Sequence, residues 1–226
     1  MIITIDGPAA SGKSTVAKKL AKELGLYFLS TGMMFRALAY LLIEKSSYQE
    51  DDFLSPREDD LSTYLDQKRF VYSYDQQSGA IIFFDGINIT PFLKNQVIDA
   101  AASIISKNKT VRLHLLKLQR LIAKQFDLVA EGRDIGTVIF PNADCKFFLT
   151  ASLHIRAGRW QGDQAKKGNH FSLNESVEMV RSRDERDMNR DIAPLKKADD
   201  AFKIDNSNMD LAQTVQAMID IVQKKG

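Results

Sequence analysis

Gly7-Pro8-Ala9-Ala10-Ser11-Gly12-Lys13-Ser14-Thr15 is the stretch on which the fold turns. It satisfies the pattern G-x-x-x-x-G-K-[ST], and both flanks are those the pattern needs. Before it, Met1-Ile2-Ile3-Thr4-Ile5 is apolar and β-branched, as a buried strand should be. After it, Val16-Ala17-Lys18-Lys19-Leu20-Ala21-Lys22-Glu23-Leu24 spaces its apolar residues at helical intervals, and Gly25 is a natural stop. Strand, glycine loop and helix start in succession gather backbone N–H groups around one point. The positive end of the helix dipole adds its field there. A triphosphate suits that arrangement. Residues Gly7, Pro8, Ala9, Ala10, Ser11 and Gly12 would cradle it, Lys13 would reach its β- and γ-phosphates, and Ser14 and Thr15 follow at the helix start. The Ser14 hydroxyl is placed to help hold Mg²⁺.

The whole chain narrows the class. Its 226 residues suit one α/β domain with insertions, and 44% hydrophobic and 27% charged content is ordinary for a globular protein. A net charge of +2 does not imply nucleic acid or an acidic membrane as partner. The single cysteine, Cys145, excludes an internal disulfide and a cysteine-rich zinc site. Its setting, Cys145-Lys146-Phe147-Phe148-Leu149, reads as strand. No apolar run approaches membrane-spanning length, and Met1 leads straight into strand without a targeting pattern. We therefore expect a monomer in the cytoplasm with no membrane or nucleic-acid partner.

Beyond the first helix, Tyr27-Phe28-Leu29 reads as a short strand, and Thr31 can cap a helix running to about Lys45. Residues 46–57 are polar and end in Ser55-Pro56-Arg57, a loop signal. Arg69-Phe70-Val71-Tyr72-Ser73-Tyr74 and Ala80-Ile81-Ile82-Phe83-Phe84, separated by Asp75-Gln76-Gln77-Ser78-Gly79, form a hairpin signature. Asp85-Gly86 turns into Ile87-Asn88-Ile89, and Thr90-Pro91 is expected to open a helix, Thr as cap and Pro first. Residues 46–95 thus read as an antiparallel insert. The remaining strands, including Asp127–Ala130 and Lys146–Leu149, alternate with helices, which argues for a parallel sheet covered on both faces. In such a sheet ligands gather beyond the C-terminal strand ends, where Glu131-Gly132-Arg133-Asp134 and Thr150-Ala151-Ser152 fall.

A phosphate loop alone does not separate kinases from switches or transporters. The base-reading Asn-Lys-x-Asp of switch GTPases is approached only by Asn108-Lys109-Thr110-Val111, and no Leu-Ser-Gly-Gly-Gln signature occurs. Arginine is what the late chain offers: Arg156, Arg159, Arg181, Arg183, Arg186 and Arg190 crowd one segment. Moving a phosphoryl group between two phosphates gathers negative charge, so catalysis is mostly positioning and neutralisation. Arginine forks onto phosphate oxygens and stays charged. Residues 152–192 read as a mobile lid. Ser152 caps a helix bearing Arg156 and Arg159, a polar closing loop runs from Gly162 to His170, and a helix from Ser172 carries Arg183, Asp187 and Arg190 on one face.

With these residues in view, the chain resembles the bacterial cytidylate kinases nearly end to end. The marks are Thr4-Ile5-Asp6-Gly7-Pro8-Ala9, Ser30-Thr31-Gly32-Met33-Met34-Phe35-Arg36, Ala101-Ala102-Ser103 and Val111-Arg112. They continue in Gly132-Arg133-Asp134-Ile135-Gly136-Thr137-Val138-Ile139-Phe140-Pro141, Arg183-Asp184-Glu185-Arg186-Asp187-Met188-Asn189-Arg190 and Ala193-Pro194-Leu195. The resemblance implies a phosphate-loop nucleoside monophosphate kinase fold, α/β, with a five-stranded parallel core sheet (residues 1–45, 96–155 and 173–226). To this it adds an antiparallel monophosphate-binding insert (about 46–95) and a lid (about 156–172). It implies transfer of the γ-phosphoryl group of ATP to CMP, with dCMP also accepted and UMP poorly. Among site residues, Arg36, Arg133 and Arg190 would clamp the acceptor phosphate, and Ser103, Arg112 and Asp134 would read cytosine. Arg183 and Asp187 would face sugar and phosphate, Ser30 would line the CMP site, and Arg156 and Arg159 would close over the transferring group with Lys13 and Arg190.

Departures from the family pattern are small. Arg159-Trp160 stands where many relatives carry adjacent arginines, and Glu131 stands for an aspartate. Either Ser14 or Thr15 could face Mg²⁺, with Ser14 favoured by the general loop pattern. Trp160 reads as lid packing, and His114, His154 and His170 lack ligand spacing. Other readings are a different small phosphate-loop kinase, or a phosphate-loop regulatory or nucleic-acid-binding module. The first needs neither this insert nor a Ser103/Arg112/Asp134 set, and near-neutral charge counts against the second.

Overall fold

The computed structural model describes residues 1–225. β1 (Ile2–Asp6) runs into the phosphate loop and α1 (Lys13–Leu24), then β2 (Tyr27–Ser30) and α2 (Thr31–Ser46). α3 (Glu58–Tyr64), β3 (Phe70–Asp75), β4 (Gly79–Phe84) and β5 (Ile87–Asn88) follow, then α4 (Gln96–Ile105) and α5 (Lys109–Gln125). The rest is β6 (Leu128–Gly132), β7 (Cys145–Thr150), α6 (Leu153–Ala165), α7 (Leu173–Met188), β8 (Phe202–Asp205) and α8 (Leu211–Lys225). The parallel sheet has five strands in the order β2-β6-β1-β7-β8, and β3-β4-β5 form a separate antiparallel sheet. β1 is therefore central. Its Ile3 and Ile5 lie opposite Cys145 and Phe147 of β7, which in turn pairs with β8.

Two compact units divide the chain, residues 1–26 with 129–226, and residues 27–128. In the first, Ile3, Ile5, Ala17, Leu20, Phe147, Leu149 and Met218 form a solvent-free core, each large side chain contributing about 1.5–3 kcal/mol by leaving water. α1 ends at Gly25, whose φ of 69° makes the left-handed cap expected of it.

In the second unit α2 is apolar on almost every side, with Met34, Phe35, Leu38, Leu41 and Leu42 buried. A helix of that kind belongs in the middle, and α3, α4 and α5 pack around it. The hairpin forms as its alternation requires: Phe70, Tyr72 and Tyr74 point inward, and Phe70 faces Phe84 across the ladder. Its turn is closed by Asp75, whose carboxylate accepts from the N–H groups of Gln77 and Ser78. Asp85 and Gly86, with φ of 50° and 78°, make the primed turn into β5.

Three local expectations need correction. Thr90-Pro91 does not open the long helix. Thr90–Leu93 is one 3-10 turn, and α4 starts at Gln96, where the Asn95 side chain accepts from the Ile98 N–H. The loop expected from Gly162 is helical to Ala165, because one glycine costs a helix only about 1 kcal/mol and the flanking turns outweigh it. α7 ends at Met188, so Arg190 lies past the helix and not on its face.

Candidate active site

Gly7 is sterically obligatory. Its φ is 153°, and a Cβ there would lie 2.0 Å from the Leu149 carbonyl oxygen of β7. Ala10 takes φ 55° although it is not glycine, and Gly12 caps α1 at φ 89°. Lys13 is folded inward, its Nζ donating to the Pro8 carbonyl at 2.6 Å and to Ser11 Oγ at 3.4 Å. Burial pushes the Lys13 ammonium well below its ordinary pKa, and the nearby Arg133 and Arg183 push the same way. Glu131 and Asp187 oppose them. Ser14 and Thr15 are both exposed.

Beside the loop, the segment after β6 is held by β1. Asp6 accepts from the Ile135 N–H at 2.8 Å and the Gly136 N–H at 2.7 Å, and so closes the turn of Ile135–Ile139 against the strand end. Gly136 has no room for a Cβ, which would meet Thr4 Oγ1 at 2.8 Å and Asp6 Oδ2 at 3.3 Å. Burial pushes the Asp6 carboxyl up to about 7; its two backbone hydrogen bonds counter that, and the charge of Asp134 adds to it.

Arg133 and Asp134 lead from β6 into that turn. Arg133 Nε donates to Asp187 Oδ2 at 2.7 Å, and Asp134 is buried at 4% exposure. Arg190 Nε donates to the Asp187 carbonyl at 3.3 Å. Burial raises the Asp187 carboxyl, but Arg133, Arg190 and Arg183 outweigh it and hold the group below the usual carboxylate range. Lys13, Arg133, Asp134, Arg183, Asp187 and Arg190 thus share one unit; Lys13 feels the charges of Arg133, Arg183 and Asp187, and Asp187 those of Arg133, Arg190 and Arg183.

The lid arginines are engaged inside the same unit. Arg156 pairs with Asp184 and donates to the Ala9 and Ala151 carbonyls, both at 3.0 Å. Arg159 donates to Ser11 O at 3.2 Å, and to Asn206 through Oδ1 and O, both at 3.0 Å. Trp160 packs on Phe171 with ring centroids 5.0 Å apart.

The second unit holds the other expected residues. Ser30 precedes α2, and its N–H donates to the Tyr72 hydroxyl at 2.9 Å. Arg36 pairs with Asp99 at 2.5 Å. Arg112 is buried, donates to the Ser106 carbonyl at 3.1 Å and lies 5.7 Å over the Phe35 ring. Ser103 stands half-buried on α4. His114 bonds Glu58 at 2.7 Å, and Cys145 is a buried free thiol.

Three residues of the site escaped sequence reasoning. Asp6 and Asp184 lie within motifs quoted above, yet neither spacing nor residue type reveals their partners. Asn206, whose Nδ2 also donates to Ser11 O at 3.2 Å, follows a four-residue strand with no legible pattern.

A central parallel strand leading into a phosphate loop, with arginines and carboxylates gathered at its mouth, defines a phosphate-loop phosphotransferase. A solved structure of an uncharacterized protein from Eubacterium ventriosum shares the fold, with a TM-score of 0.53 at 15% identity over 99% of this chain and 98% of that one. The cytidylate kinase family model matches residues 3–224. The cytidylate kinase of Halalkalibacterium halodurans is 37% identical over 100% of this chain and 98% of its own length. That of Thermodesulfovibrio yellowstonii is 39% identical over 99% and 96%. This chain belongs to the cytidylate kinase family. Among the described residues no helix is long and apolar enough to cross a membrane.

Proposed function

We propose that this chain transfers the γ-phosphoryl group of ATP to CMP, and to dCMP, giving CDP or dCDP and ADP. The observation that carries this reading is the charge arrangement around Lys13: a phosphate loop whose lysine is buried beside Arg133, Arg183, Asp187 and Glu131. An acceptor phosphate oxygen attacks the γ-phosphorus as the bond to the β-bridging oxygen breaks, so negative charge builds between two anionic groups. Lys13, Arg133 and Arg190 neutralise it, and Asp187 fixes Arg133 in place. Asp187 and Arg183 face the acceptor sugar. Arg36, Ser103 and Arg112 of the second unit serve the acceptor phosphate and base.

Among the described residues no group of three His, Cys, Asp or Glu side chains could hold a metal ion. That donor set fits Mg²⁺ carried chiefly by phosphate oxygens, with the exposed Ser14 hydroxyl, or that of Thr15, as the protein's share. When bound, the ion neutralises phosphate charge. Compartment and oligomeric state are proposed as cytoplasmic and monomeric.

Base choice is the test. Cytosine presents an N4 amino donor where uracil presents a carbonyl, and a carboxylate such as Asp134 accepts only. Sites built around a substrate donor reject analogues lacking it by up to about 10⁴–10⁵. Steady-state turnover with CMP, dCMP, UMP and AMP should favour the cytosine nucleotides. Asp134→Asn, whose amide can also donate, should lose more kcat/KM on CMP than on UMP. An unchanged CMP/UMP ratio would remove Asp134 from base reading, and no preference for CMP in the parent protein would remove the reading itself.

A further inference from the structure

Ala9 of the phosphate loop is gripped at both of its backbone polar groups. Its N–H donates to Asp184 Oδ1 at 2.8 Å, and its carbonyl accepts from Arg156 Nη1 at 3.0 Å. The same Nη1 pairs with Asp184 Oδ2, while Arg156 Nε is fixed on the Ala151 carbonyl. All three residues are buried, Ala9 to 2% exposure. Carboxylate and guanidinium therefore close a ring around one residue of the loop, holding the peptide groups on either side of its Cα.

Stability alone does not explain such a pair. Desolvating two charges is costly, and well-packed apolar side chains serve a core as well or better. The next residue supplies a reason. Ala10 adopts φ 55°, a conformation that L side chains rarely take and that persists only where the surroundings over-determine it. Gly12, two residues on, also has positive φ but takes it freely as glycine, so the strain of the loop sits at Ala10. The clamp stands immediately before this strained stretch. Because its Ala9 N–H is already engaged, phosphate oxygens are left to the N–H groups further along.

We propose that Asp184 is a positioning residue for ATP: through Ala9 and Arg156 it holds the phosphate loop in its anion-receiving shape. Arg156, expected to close over the transferring group, is in this arrangement a brace between α6 and the loop. The inference rests on the loop being the ATP site. It separates the two substrates, since ATP needs the loop's shape and CMP does not.

The experiment compares Asp184→Ala and Asp184→Asn with the parent protein in three readouts. These are KM for ATP and for CMP, equilibrium binding of ATP without CMP, and hydrogen exchange across residues 8–12. Misplacing binding groups by an ångström can cost up to about 10²-fold. For Asp184→Ala, ATP binding should weaken about tenfold or more, with KM for CMP within about twofold and faster exchange at residues 8–12 but not in α8. Asp184→Asn keeps an acceptor for the Ala9 N–H and should fall between. Should the alanine variant not fold, the asparagine variant decides by the same ATP-against-CMP split. Equal changes for both substrates, or unaltered ATP binding and exchange in a folded variant, would overturn the proposal. A parent protein that binds no ATP would overturn the functional reading as well, and is told apart by that control.

Discussion

A carboxylate at the end of an apolar strand has to be held by something, and Asp6 is held by two backbone N–H groups of the turn that follows Arg133 and Asp134. Burial raises its pKa from 3.8 to about 7. The folded protein then binds a proton more readily than the unfolded chain, so this residue's contribution to stability is fully present below about pH 4. It is lost as pH rises toward 7, at up to about 1.4 kcal/mol per pH unit, and is level above that. Asp6→Asn cannot titrate. The difference in unfolding free energy between parent and variant should therefore move by a few kcal/mol in the variant's favour between pH 4.5 and 7.5. Urea titrations of both proteins at four pH values check this, and a flat difference across that range would contradict it. Asparagine offers one carbonyl to two N–H groups, so a constant offset of about 1–3 kcal/mol is expected beneath the slope.

Helix ends are where local chemistry decides an element, and α7 shows it. The Ser172 hydroxyl accepts from the Glu175 N–H at 3.2 Å while the Glu175 carboxylate accepts from the Ser172 N–H at 2.7 Å. This reciprocal box satisfies two donors that the first turn would otherwise leave without helix partners. Its bonds also hold the Glu175 carboxyl below its ordinary pKa. Ser172→Ala should cost about 1 kcal/mol, read by urea denaturation, with faster amide exchange confined to residues 172–176. Unaltered stability and exchange would show that the Trp160–Phe171 contact fixes this end of the helix instead. α4 is the contrasting case. Thr90-Pro91 has the right residue types for a helix start, but Asn95 supplies the cap that is used.

At the scale of the molecule, the loop, Lys13, Arg159 and Asn206 all belong to the unit of residues 1–26 and 129–226. A ligand at one hundred times its Kd stabilises the state that binds it by about 2.7 kcal/mol. ATP alone should therefore raise the Tm by about 5–10 °C at such concentrations. The added exchange protection should concentrate in residues 5–16, 130–137 and 204–207. Equal added protection within residues 27–128 would contradict this assignment of ATP to the first unit.

The chain's local patterns were enough for the phosphate loop, the Gly25 stop, the Asp75–Gly79 and Asp85-Gly86 turns, the Ser152 cap and the helix start at Ser172. In each, the deciding contact spans a few residues, so residue type and spacing carry the physics. The same holds for the strand–loop–helix setting of Lys13. What only the tertiary structure decided is which distant groups meet. Asp6 reaches Gly136 across 130 positions, Asp184 reaches Ala9 across 175, and Asn206 reaches Ser11 across 195. Lys13 had its charge environment set by residues more than a hundred positions away. Burial and long-range pairing depend on how the sheet brings its strand ends together, and a period of two or of 3.6 residues holds no record of that.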